Sequence, residues 1–298
     1  TPPSQIAVLL VDGLGWRQLQ EHGDLCPHLL AGRGRAIGAA FPSTTPVGLA
    51  TLGTGASPGH HGVVGAAFWL PDSDEMLHPL AWREDPHPIA VQPEPTVLER
   101  IARSGISMRS VGPRAFAASG LTRAVLRGGE YRGADSFGER VAEFEEALDG
   151  PGLTYCYWGD LDKTGHIHGV DSPAWRAELA HVDQLVAALR DALPDDAVLV
   201  VTADHGMVDV QHRVDLDDDP RLARDVLRLG GEPRMRHVYT RPGTAAEVAE
   251  RWASVLGEHA VVMRREAALG AGLLGDTPPD HVERIGDVLA LATDHSVL

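Results

Sequence analysis

The chain is short of thiols, ammonium groups and long apolar runs, and each shortage removes a class of function. Its two cysteines, Cys26 and Cys156, stand far apart in 298 residues. They form neither a disulfide framework nor a zinc-binding pair, and each reads simply as a buried thiol. Lysine occurs once, at Lys163, so arginine supplies the rest of the 26 basic residues, against 42 acidic ones and a net charge of -16. That balance leaves no basic face for a nucleic-acid polymer and no polybasic segment for an anionic membrane. No apolar run reaches the roughly 18–20 residues that span a bilayer. The opening Thr1-Pro2-Pro3 has no Met and no secretory signal pattern, which reads as a processed or incomplete start with the cytoplasm as default compartment. No 20–50 residue repeat is visible. There is no Gly-x-x-x-x-Gly-Lys-Ser/Thr phosphate loop, and Val11-Asp12-Gly13-Leu14-Gly15 lacks the third glycine of a dinucleotide turn. A Gly-x-Ser-x-Gly nucleophile elbow is also missing.

What is present is an ordinary globular composition, 43% hydrophobic and 23% charged, in a chain long enough for a substantial core. Three apolar runs without alternation, Ile6 to Val11, Leu153 to Trp158 and Ala197 to Val201, predict strands buried on both faces, as in a parallel sheet. Met108 to Val111 is a weaker fourth run and Ile285 to Leu291 a fifth. Helical periodicity lies between them. From Trp175 to Leu193 it places Leu179, Val182, Leu185, Val186 and Leu189 on one face and stops at Pro194. Glu139 to Leu148, Ala245 to Leu256 and Thr96 to Arg103 are similar. This alternation predicts an α/β fold with a mostly parallel central sheet flanked by helices on both faces. Segments 70–95 and 211–235, rich in Pro, Asp and Arg, are expected as excursions from a single domain 1–298, forming a small cap.

The candidate chemistry sits at strand ends, where open α/β sheets bind ligands. The three strong runs are followed by Asp12, Asp162 and Asp204. His205 adjoins Asp204, and His166 follows Asp162 by four residues. Carboxylate oxygens with imidazole nitrogens and no thiolate are a ligand set for zinc or a similar divalent ion. Three converging acids would otherwise repel and hold their protons. Taken singly, Asp12 reads as a helix cap or turn residue, and Asp204-His205-Gly206 could be a turn. Thr45 precedes Pro46 at the predicted start of a short helix. A hydroxyl there can face an anion and attack phosphorus, although on local sequence alone a capping role is the simpler reading.

In order along the chain, these pieces resemble the alkaline phosphatase superfamily, and within it the nucleotide pyrophosphatase/phosphodiesterase branch. The matching segments are Val8-Leu9-Leu10-Val11-Asp12-Gly13, Phe41-Pro42-Ser43-Thr44-Thr45, Thr51-Leu52-Gly53-Thr54-Gly55, Ser57-Pro58-Gly59-His60-His61-Gly62-Val63, Asp160-Leu161-Asp162-Lys163-Thr164-Gly165-His166 and Thr202-Ala203-Asp204-His205-Gly206-Met207. The resemblance implies two divalent ions, expected to be Zn2+. One would be held by Asp12, Thr45, Asp204 and His205, the other by Asp162, His166 and a further His. It implies Thr45 rather than Thr44 as nucleophile, forming a covalent phosphothreonine on a small phosphate-ester substrate, and a structural role for His61-Gly62. Where the branch places an Asn after His-Gly, this chain reads Val64-Gly65-Ala66-Ala67-Phe68-Trp69. A phosphomonoesterase, a phosphonate hydrolase or a metal-binding homologue without turnover therefore stays open beside a phosphodiesterase. The third ligand of the second ion is expected beyond Leu298, in a chain that looks cut, with His237 and His295 as substitutes within it.

Overall fold

The computed structural model describes residues 3–298. The chain groups into two units. One holds the residues up to Ala39, Leu52–Gly55 and Arg83–Met207, and the other holds Ala40–Thr51, Ala56–Trp82 and Val208–Leu298. No helix among the described residues is long and apolar enough to cross a membrane.

The first unit is built on five parallel strands: β1 (Gln5–Val11), β2 (Ser107–Gly112), β3 (Glu130–Gly133), β4 (Gly152–Trp158) and β5 (Val198–Thr202), in the order β3-β2-β4-β1-β5. Alternate residues of β1, Ala7, Leu9 and Val11, join Cys156, Trp158 and Val111 in a core closed by the helix Pro173–Ala192. Ser172 caps that helix by accepting the Trp175 N–H, and Pro173 occupies the first turn. Trp175, Leu179, Val182, Val186 and Leu189 recur at helical spacing and are all buried, each contributing about 1.5–3 kcal/mol of transfer free energy. The helices Val97–Arg103 and Phe137–Glu146 both begin with capping boxes, Thr96 with Glu99 and Ser136 with Glu139. The mostly parallel α/β architecture is thus as expected.

Three details differ from the sequence expectation. The run from Ile285 to Leu291 is not a strand of the parallel sheet; its strand, Val288–Ala292, pairs antiparallel in the second unit. An apolar run reports burial, not the direction of its neighbours. The fifth parallel strand is instead β3, whose Glu130-Tyr131-Arg132-Gly133 has no apolar signature because an edge strand pairs on one side only. The strand β5 is likewise an edge strand, and Val198 and Val200 on one face are 44% and 43% exposed, so it is not buried on both faces.

The second unit holds an antiparallel sheet of β6 (Val226–Glu232), β7 (Met235–Thr240), β8 (Ala260–Arg264) and β9 (Val288–Ala292), ordered β8-β9-β7-β6. Val238, Val288 and Ala290 pack with Val248, Trp252 and Leu256 of the helix Ala245–Leu256. Within it, segment 211–235 contributes β6 and the short strand His212–Arg213, and the first part of segment 70–95 contributes the second strand of the hairpin Phe68–Leu70/Glu75–Leu77; the helix Pro88–Val91 of that segment belongs to the first unit.

His61 ends the short helix Pro58–His61 and is fully buried. The Val63 N–H donates to its Nδ1 at 3.2 Å, so Nε2 carries the proton and donates to Thr51 Oγ1 at 3.1 Å. Gly62 turns the chain at φ +75, and a Cβ there would lie 2.4 Å from Arg284. These contacts give the His-Gly motif an architectural role. Burial, then His281, lowers the His61 pKa to about 3, and burial lowers that of His237 to about 4. Both rings are therefore neutral when folded and gain a proton more easily when unfolded. The stability they contribute is present above about pH 6.5 and lost as pH falls towards 4 and 3. Denaturant midpoints should fall across that window, and the fall should be smaller in His61→Gln; an unchanged slope in the variant would contradict the buried neutral ring.

Candidate metal centre

Parallel register brings the carboxyl ends of β4, β1 and β5 side by side. Val11 lies opposite Trp158, and Leu10 opposite Thr202. The Asp12 N–H continues the ladder to the Trp158 carbonyl at 2.8 Å. Two residues past Thr202 the chain delivers Asp204. Gly13 turns at φ +73, and its N–H donates to Asp204 Oδ1 at 3.3 Å. A Cβ at Gly13 would lie 3.0 Å from Asp162 Cβ and Oδ1, so glycine is needed both for the turn and for the approach.

The side chains then converge. Asp12 and Asp204 are 3% and 5% exposed. His205 Nε2 lies 3.3 Å from Asp12 Oδ1 and 3.6 Å from Asp204 Oδ2. Ligand atoms from all three residues fall within 4.8 Å of one another, and among the described residues no other group of three His, Cys, Asp or Glu does so. His205 Nδ1 is 2.9 Å from the Gly206 carbonyl oxygen, which can only accept. Nδ1 therefore carries a proton, and Nε2 faces two carboxylates. A shared cation resolves that arrangement, and a carbonyl holding the far nitrogen is the usual partner of a metal-ligating imidazole. Asp204 Oδ2 and Asp162 Oδ1 are buried without a hydrogen-bond partner, as oxygens awaiting a ligand would be. The donor set and its unpaired oxygens fit a divalent ion of the zinc type.

Asp162 and His166 occupy one face of the helix Asp160–His168, with Nε2 3.4 Å from Asp162 Oδ2 and the imidazole 72% exposed. Of the two substitutes for a third ligand, His237 is not free, and His295 has one ring nitrogen held. The His237 ring is engaged at both nitrogens, by the Val64 carbonyl at 3.0 Å and the Gly286 N–H at 3.1 Å. His295 Nδ1 is held by the Asp209 carbonyl at 2.8 Å. Thr45 is the first residue of the helix Thr45–Thr54, and the Thr44 carbonyl accepts the Gly48 N–H, so the cap position falls on Thr44. Thr44 is buried and Thr45 half-buried.

Sequence reasoning missed Tyr157, whose hydroxyl donates to Asp12 Oδ2 at 2.5 Å. Within an apolar strand it reads as core, and only the parallel register, which sets Tyr157 opposite Leu10, reveals its reach to Asp12.

Burial, then the charges of Asp204 and Asp162, raises the Asp12 pKa to about 8. Burial likewise raises that of Asp162. Burial opposes protonation of His205, but Asp204 and Asp12 outweigh it and raise its pKa. Because the folded pKa of Asp12 exceeds its ordinary value of 3.8, its contribution to stability is largest below about pH 4 and is lost as pH rises to about 8. In metal-free protein, Asp12→Asn should therefore gain melting temperature over the unsubstituted chain as pH rises through that window. Zinc should reverse the order at pH 8. A constant difference from pH 4 to 8 without metal would contradict the crowded-carboxylate account.

The chain is similar to known proteins both in sequence and in fold. Human ectonucleotide pyrophosphatase/phosphodiesterase family member 7 is 40% identical over 74 residues, which is 23% of this chain and 16% of that protein. Matches to curated relatives span 15–39% of their lengths. In fold, the chain is similar to murine ectonucleotide pyrophosphatase/phosphodiesterase 5, solved as an inactive variant with AMP, with a TM-score of 0.77 at 20% identity, covering 100% of this chain and 80% of that one. It is also similar to phosphonoacetate hydrolase from Sinorhizobium meliloti 1021, solved with phosphonoformate, with a TM-score of 0.74 at 20% identity, covering 100% and 82%. The profile described as Type I phosphodiesterase / nucleotide pyrophosphatase matches residues 6–298, and the chain belongs to that family.

Proposed function

We propose that the protein is a metal-dependent hydrolase of small phosphate esters, of phosphodiester or pyrophosphate type, with Thr45 as nucleophile. The observation that supports it most is His205 Nε2 facing Asp12 and Asp204 with an unpaired buried carboxylate oxygen between the same elements. Asp12, Asp204, His205 and the Thr45 oxygen would hold one divalent ion, and Asp162, His166 and a further His a second, with zinc the best match to nitrogen and oxygen donors. Bound there, such ions supply the positive charge that phosphoryl transfer needs and that a chain of net charge -16 otherwise lacks.

The residues would then act as follows. Thr45 Oγ would form a bond to phosphorus as the bond from phosphorus to the leaving oxygen breaks, and the Thr45 proton passes to the leaving oxygen. Water next attacks the phosphothreonine, the Oγ–phosphorus bond breaks, and Thr45 regains a proton. In-line placement governs both steps, so the start of a rigid helix suits the nucleophile. Motif spacing and its place as the buried cap both count against Thr44 in this role.

A second reading is favoured by one feature. The stretch Val64-Gly65-Ala66-Ala67-Phe68-Trp69 carries no side-chain amide to hold a non-bridging phosphate oxygen, and Val63, Val64 and Gly65 are buried. A phosphomonoester or a phosphonate, the latter as in the bacterial hydrolase of the same fold, then becomes the substrate class.

Zinc-dependent release of nitrophenol from bis-nitrophenyl phosphate, mono-nitrophenyl phosphate and a nitrophenyl phosphonate ranks these substrates. Thr45→Ala should reduce turnover by about 10³-fold or more while leaving the fold intact, and Thr44→Ala should cost less. Acid quenching during turnover should trap phosphate on Thr45, detectable by mass spectrometry. Near wild-type rates in Thr45→Ala would overturn the nucleophile assignment, and no zinc-dependent release from any of the three esters would favour a homologue without turnover.

A further inference from the structure

The hydroxyl of Tyr157 has no place in the chemistry above, yet it donates to a candidate ligand carboxylate at 2.5 Å. Asp12 has two oxygens with divided surroundings. Oδ1 faces His205 Nε2 at 3.3 Å, and Oδ2 accepts the Tyr157 O–H at 2.5 Å. A carboxylate turns about its last torsion over a broad, roughly two-fold range. One donor fixed on Oδ2 removes that freedom and leaves Oδ1 aimed at the point where His205 and Asp204 meet.

The phenol is itself held. It sits on β4, opposite Leu10 of β1, two residues before the Asp12 position in that register. Phe116 meets its ring edge to face at a centroid distance of 5.9 Å. On the other side, a Cβ on Gly159 would lie 2.9 Å from the Tyr157 hydroxyl and 3.0 Å from Cε1, so the ring tip rests directly against backbone. Burial and the Asp12 charge push the phenol pKa upwards, which keeps it a donor.

We propose that Tyr157 is a positioning residue for the metal site: its hydroxyl locks the Asp12 carboxylate in the orientation that presents Oδ1 to the ion. The inference rests on the metal reading of Asp12, Asp204 and His205. Partners of this kind typically govern metal affinity by about 10–100-fold.

Zinc alone is the probe, titrated against a chromophoric chelator, in the unsubstituted protein, Tyr157→Phe, Gly159→Ala and Asp204→Asn. Tyr157→Phe deletes one oxygen and keeps the ring packing. Gly159→Ala keeps the hydroxyl but displaces it, at a backbone position of φ -111 and ψ -4 that alanine accepts. Both should bind zinc about tenfold or more weakly, with metal-free melting temperatures and circular dichroism close to those of the unsubstituted protein. Excess zinc should restore the rate of nitrophenyl ester hydrolysis. Equal zinc affinity in Tyr157→Phe and the unsubstituted protein would overturn the positioning role and leave the metal site standing. If Tyr157→Phe does not fold, Gly159→Ala decides on the same readout. Absence of saturable zinc binding in the unsubstituted protein, with no further loss in Asp204→Asn, would sink the metal reading and this inference together.

Discussion

Mutual repulsion among buried carboxylates is the constraint on which the first unit turns. Asp12, Asp162 and Asp204 are gathered at the strand ends of a chain that already carries sixteen excess negative charges. Burial denies water to Asp12 and Asp204, and Asp162 is half-buried, so the gathering is costly unless a cation is shared. Nothing in the core demands this arrangement; a fold selected for stability alone would place asparagine or serine at these turns. The surrounding contacts accordingly maintain the gathering. The Gly13 N–H steadies Asp204 Oδ1, the Gly206 carbonyl orients His205, and the Tyr157 hydroxyl takes Asp12 Oδ2.

The sheet is what makes the gathering possible. Parallel pairing brings every carboxyl end to one edge, so residues more than 140 positions apart in sequence emerge side by side. The apolar stripe of Pro173–Ala192 and the matching face of β1 and β4 anchor those strands in a packed core. Rigid strands hold ligand atoms more accurately than loops would. The glycines at the turns do the complementary work: Gly13 lets backbone pass within contact distance of Asp162, and Gly159 gives Tyr157 its seat.

The second unit follows different electrostatics. Two of its buried histidines, His61 and His237, are neutral and fully engaged by hydrogen bonds to backbone and hydroxyl groups. They show how little a histidine in a sequence says by itself. His61 serves a turn, His237 ties a strand to a loop, and His205, no more conspicuous in sequence, faces two carboxylates.

The sequence by itself determined the α/β class, the main helices and the identity of the strand-end acids. Those features are local: period 3.6 in Trp175 to Leu189, unbroken apolar runs at Ile6 and Leu153, and an Asp where each run stops. It misled where burial was taken to imply pairing. Val288–Ala292 is apolar yet antiparallel, β3 is polar yet parallel, and β5 is apolar yet lies at an edge. The direction and neighbours of a strand depend on connections elsewhere in the chain. The convergence of Asp12, Asp204 and His205, the proton on His205 Nδ1, the full engagement of His237 and the reach of Tyr157 to Asp12 were likewise decided only by tertiary structure. Each is a distance of a few ångströms between residues remote in sequence, fixed by strand register, and no pattern of residue types along the chain encodes such a distance.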